Sequence, residues 1–234
     1  MCDNSITTIS YEAFHLYLLL NAIAKVKQTY ISIESLPKRD NVKSYKKRKR
    51  YQMKLSLVER VFAYELYRQW ANLLEEKGIK DLVLNGEIRK NLTSTIIPNK
   101  DFFYPDLVLH NAEVLDSNKN ILVCEIKRKE SLDKITDDLS KLSMFLSNTS
   151  KRKNDDVWSS YHLGVFLLIG NTVEWSDITK KINNKTIQKI PNEIKSRIYC
   201  IIYNGDEKIP DTKSLIDLLE YQKHSIPNRD KSKS

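Results

Sequence analysis

Two stretches decide the fold: Phe103-Tyr104-Pro105-Asp106-Leu107-Val108-Leu109-His110 and Ile121-Leu122-Val123-Cys124-Glu125-Ile126-Lys127. Each is an apolar run of strand length, and each is interrupted by an acid, although a carboxylate without a partner is costly to bury in a strand. Side chains alternate along a strand, so Glu125 and Lys127 share one face while Cys124 and Ile126 share the other. Asp106 lies nineteen residues before Glu125, and the largely polar segment 111–120 is enough of a turn to fold one strand back beside the next. Asp106, Glu125 and Lys127 then converge.

Outward from this pair, apolar runs at 81–88, 163–169 and 197–203 predict three further strands. Leu132, Ile135, Leu139, Leu142 and Phe145 recur at helical spacing and predict a helix over 131–146. A long amphipathic helix is expected over 55–76, with Leu55, Phe62, Leu66, Trp70 and Leu73 as its apolar stripe and Gly78 as its stop. Phe14, Tyr17, Leu18, Ala22 and Val26 predict a first helix over 11–28, for which the sequence identifies no partner. The core order is therefore helix, three strands, helix, strand, and then a further strand. That order predicts an α/β fold whose mixed sheet begins as a meander and carries helices on both faces.

With 234 residues the chain has the length of one domain or a core plus an extension, and only 5 Gly and 6 Pro argue for an ordinary globular interior. Three units are expected: an N-terminal helix and basic extension over 1–54, a core over 55–224, and a disordered basic tail from 225 to 234. Nine basic residues against Asp40 mark 38–54 as a flexible linker or a phosphate-facing arm. Lys and Arg number 39 against 30 Asp and Glu, a net charge of +9 that favours a polyanionic partner, nucleic acid first. Cys2, Cys124 and Cys200 form no C-x-x-C pair, which indicates neither a disulfide framework nor a zinc site and fits a reducing compartment. The apolar run 14–26 is too short to span a bilayer, so no membrane partner and a cytoplasmic setting are expected.

Two carboxylates and one ammonium in a small space, without imidazole or thiolate, suit a hard divalent cation. Asp106 and Glu125 are the expected ligands, with the Ile126 carbonyl as a third, and Lys127 is the expected stabiliser of charge developing on a phosphodiester. The opposing interpretation is a surface-exposed Glu to Lys pair at a strand end, with Asp106 in a turn after proline. His110 falls on the same strand face as Asp106 but has no second ligand nearby. There is no Gly-rich phosphate loop and no G-x-S-x-G elbow, which leaves ATP-driven and serine chemistry without support.

Pro105-Asp106, eighteen intervening residues and Glu125-Ile126-Lys127 resemble the signature of the PD-(D/E)XK nuclease superfamily, and the likeness covers residues 55–203. The resemblance implies a restriction endonuclease-like core with the order α-β-β-β-α-β. It also implies a Mg²⁺-dependent endonuclease in which Mn²⁺ can substitute, with DNA as substrate and a homodimer as a compatible assembly. Many members carry a glutamate on the helix before the first strand. Glu59 matches, because an ideal rotation places it within about 20° of Leu66, inside the apolar stripe. Glu65 is the runner-up, read as a solvated helix residue, and Glu87 is a further candidate. Lys129 continues the alternation toward a phosphate or ends the strand in solvent, and Asp138 with Lys141 forms an i,i+3 pair where relatives place a polar residue. The alternatives to catalysis are a non-catalytic binding module for nucleic acid or a partner on the same fold, and a structural protein whose acids form internal ion pairs.

Overall fold

The computed structural model describes residues 10–31, 45–86, 105–111, 120–147, 160–206 and 208–225, with 45–57, 223 and 225 described by backbone alone. Cys2, Glu87, the segment 38–44 and the tail 226–234 lie outside the described residues. The chain is α/β. In order, α1 (Tyr11–Ala24) and α2 (Tyr45–Glu76) precede β1 (Val83–Gly86), β2 (Leu107–His110) and β3 (Asn120–Arg128), followed by α3 (Ile135–Leu146) and β4 (Leu163–Ile169). Three short helices, α4 (Trp175–Thr179), α5 (Asn184–Ile187) and α6 (Asn192–Lys195), lead to β5 (Ile198–Tyr203), β6 (Asp211–Ser214) and α7 (Leu215–Ser225).

The six strands form one open sheet in chain order. β1, β2 and β3 are an antiparallel meander, β3, β4 and β5 are parallel, and β6 returns antiparallel at the edge. The expected mixed sheet and the helices on both faces are both present. One face packs Leu107, Leu109, Leu122, Cys124 and Ile126 against α1 and α2, through Leu18, Ile23, Phe62, Leu66 and Trp70. The other packs Val108, Val123, Phe166 and Leu168 against α3 to α7, through Leu139, Leu142, Ile178 and Leu218. Gly164 admits this second layer, since a Cβ there would stand 3.0 Å from the Leu146 Cδ1. The alternation read from the sequence therefore holds: Cys124 and Ile126 face one layer while Val123, and by register Glu125, face the other.

Several expectations need correction. Residues 45–54 are not a linker but the first turns of α2, because Lys and Arg are good helix formers and the helix continues without a break. The boundary drawn after residue 54 thus falls inside a helix. α1 is no separate extension either, as it shares the apolar core with α2 and the sheet, and the Tyr203 hydroxyl donates to the Val26 carbonyl at 2.5 Å. The helix expected from 131 begins at Ile135, after a 3-10 segment at Lys129–Lys134. Gly78 does stop α2: at φ 68° it permits the paired Ile79 to Leu74 and Gly78 to Glu75 backbone bonds that close a helix C-terminus. Among the described residues no helix is long and apolar enough to cross a membrane.

Candidate functional site

The site arises from a mismatch in strand length. β3 has nine residues and its antiparallel partner β2 only four, so pairing with β2 ends at Leu107 opposite Cys124 while pairing with β4 continues to Arg128. The last residues of β3 therefore present amides on the β2 side with no strand to accept them. Two carboxylates take that role. Asp106, in the residue just before β2, accepts the Ile126 amide at 2.6 Å, and Glu59 of α2 accepts the Arg128 amide at 3.1 Å and the Ser131 hydroxyl at 2.7 Å through the same oxygen. The amide and carbonyl of one strand residue face the same neighbour, so the Ile126 carbonyl also lies on this edge.

Extending the Leu107 to Cys124 register by one step sets Asp106 opposite Glu125. Both project from the α3 side of the sheet, as does Lys127 two residues further on. The Lys127 ammonium lies 3.8 Å from Glu125 and 4.0 Å from Asp138 of α3, and Lys141 bonds the other Asp138 oxygen at 3.1 Å. Glu125 is 4% exposed and Asp138 1%. The exposed strand-end ion pair that the sequence allowed is thus not what forms: this is a buried corner with three carboxylates and two ammonium groups around it. Asp138 Oδ2 has no hydrogen-bond partner among the described residues and lies 4.0 Å from the Lys127 ammonium.

Burial and crowding set the charge states. Burial first and the adjacent Asp106 second push the Glu125 carboxyl up to about 8, against the pull of Lys127. Burial likewise pushes Asp106 up to about 6, against the pull of Lys127 and the Ile126 amide. Burial works against the Lys127 ammonium, but Asp106, Asp138, Glu125 and Glu59 together outweigh it and hold the amine above its ordinary range. A corner that holds two neighbouring carboxylates in partly protonated form is one that a cation can occupy in place of protons.

The remaining sequence candidates separate cleanly. Glu59 reaches the corner from the opposite layer, where its charge acts on Asp106 and Lys127 while its oxygen holds the end of β3. Glu65 is buried rather than solvated and is consumed by Arg68 and Gln69. Lys129 is tied to the Thr172 carbonyl and to Asp177, so it braces the loop after β4. His110 sits half-buried at its strand end, 2.8 Å from the Asn85 side chain. Asp138 is the residue that sequence reasoning set aside: an i,i+3 Asp-Lys pair reads as surface, and only the apolar residues around it in α3 hint that it turns inward. Among the described residues no group of three or more His, Cys, Asp or Glu side chains is arranged to hold a metal ion. A cation here would have two carboxylates and a backbone carbonyl. No protein-family model, curated protein or solved structure matches the chain.

Proposed function

We propose that this chain is a divalent-cation-dependent nuclease of the restriction endonuclease-like, PD-(D/E)XK type, hydrolysing phosphodiester bonds of nucleic acid, with DNA favoured by the resemblance. The observation that carries the proposal is the buried corner itself: Asp106, just before β2, opposite Glu125 of β3, with Lys127 two residues further along β3. The order of helix, three-strand meander, helix and parallel strand supports it.

The residues fit a hard cation. Mg²⁺ characteristically takes one or two protein carboxylates and completes its shell with water and phosphate, which the Asp106, Glu125 and Ile126 carbonyl set accommodates. When bound, the ion supplies polarisation of the phosphodiester and acidification of a water. The chain's own groups do the rest. The Ile126 amide fixes the orientation of Asp106. Lys127 holds a positive charge where negative charge builds during hydrolysis, and Asp138 keeps that ammonium at the corner.

The test is cleavage of plasmid, linear duplex and single-stranded DNA, and of RNA, with Mg²⁺ or Mn²⁺. Wild type should cut at least one, and Lys127→Ala should slow cutting by about 100-fold or more. A wild-type protein inert on all of them overturns the proposal. A binding module without catalysis has one observation in its favour, since Asp106 and Glu59 already satisfy two strand amides without any cation. That reading expects nucleic acid to be bound and left intact.

A further inference from the structure

The longest helix carries a surface that the cation corner does not use. Between residues 45 and 68, α2 holds eight basic residues, the run 46–50 with Lys54, Arg60 and Arg68, against two acids. Both acids are engaged, Glu59 with the end of β3 and Glu65 with Arg68 and Gln69. Phe62, Leu66 and Trp70 are buried, whereas the opposite face exposes Val61, Tyr64 and Tyr67 between Arg60 and Arg68. Tyr64 is 66% exposed and Tyr67 38%, and neither makes a ring contact or hydrogen bond with a described residue. Large rings left open beside a dense positive charge match one chemistry, that of a polyanion that also offers flat apolar faces.

We infer that the outer face of α2 is a track for single-stranded nucleic acid, its basic residues meeting phosphates and Tyr64 and Tyr67 stacking on unpaired bases. A duplex satisfies the charge but keeps its base faces covered, so the two tyrosines select the single strand. The basic run ends at Lys54, about 7.5 Å of helix before Glu59, and Glu59 is bonded to the strand end beside Lys127. The track deepens the nuclease reading by naming the form of its substrate, and its test requires no cleavage.

Binding of fluorescein-labelled oligo-dT, oligo-U and a duplex of equal length to the full chain is read by fluorescence anisotropy in EDTA across a salt series. Oligo-dT or oligo-U should bind more tightly than the duplex, and the tighter of the two identifies the sugar. Tyr64→Ala with Tyr67→Ala should weaken single-strand binding about tenfold or more with the salt slope unchanged, and the corresponding Phe substitutions should restore it. Glutamine at 46–50 should lower the slope by about 2 to 3. Equal or tighter duplex binding, an alanine pair that binds as wild type does, an unchanged slope, or no binding at all each overturns the track. Binding is read without a divalent cation and at residues outside the corner, so a wild type that cuts nothing would overturn the nuclease reading and leave these results standing.

Discussion

Glu125→Gln isolates the charge that the corner finds most expensive. The Glu125 carboxyl is raised from 4.5 to about 8, so between those values the folded chain holds a proton that the unfolded chain has lost. Stability must then fall as pH rises, by about 1.4 kcal/mol per pH unit for one proton. The clean window is pH 6.5 to 8. Below it Asp106, raised to about 6, adds a fall of the same sign, while His15, fully buried with neither ring nitrogen hydrogen-bonded among the described residues and its pKa lowered by burial, acts with the opposite sign, losing stability as pH falls. Above it, the buried Cys124 thiol, itself raised by burial, begins to differ from its unfolded counterpart. Across the window the cation-free wild type should lose about 2 kcal/mol, or about 4–8 °C in Tm for a chain of this length. Thermal melts in EDTA read this directly. Glutamine keeps the side-chain volume without the proton, so the variant's Tm should stay level and exceed that of wild type at pH 8. Saturating Mg²⁺ should flatten the wild-type curve by displacing the proton and leave the variant unmoved. A wild-type Tm that is level or rising from pH 6.5 to 8, or an equal fall in the variant, refutes the reasoning.

Asp138→Ala strips the buried counter-ion from Lys127 and Lys141 and should cost about 3 kcal/mol, measured by urea denaturation. Glu59→Ala leaves the Arg128 amide and Ser131 hydroxyl without their acceptor, at about 1–3 kcal/mol in the same assay, and Glu59→Gln should recover most of that loss. Trp70→Ala opens a cavity between α2 and the sheet and should cost about 3–5 kcal/mol, seen as a lower urea midpoint.

The central strands were legible because each is a short apolar run that must be buried on both faces, and β4, with seven buried residues, is the clearest. β6 was not, because Asp211–Ser214 lies at the sheet edge, is polar and at most half-buried, and carries no apolar pattern. Helices of four or five residues such as α4 to α6 are too short for a period to register. The start of α2 was hidden because a run of charges shows no apolar stripe, even though its residues favour helix. At the site, strand alternation and the Pro105-Asp106 to Glu125 spacing were enough to bring Asp106, Glu125 and Lys127 together. What spacing could not give was the reason Asp106 is held there, namely that β3 outruns β2 and leaves the Ile126 amide to a side chain. Nor could it reveal Asp138, whose inward turn depends on how α3 rolls against β3 and β4.

A crystal of this chain soaked in Mn²⁺ and measured at the manganese absorption edge tests the central claim most directly. The account predicts one anomalous peak with Asp106 and Glu125 oxygens at about 2.1–2.2 Å, near-octahedral geometry and Lys127 beside it. A peak elsewhere, or a corner in which Glu125 stays bound to Lys127 with no ion between the two carboxylates at saturating Mn²⁺, contradicts it.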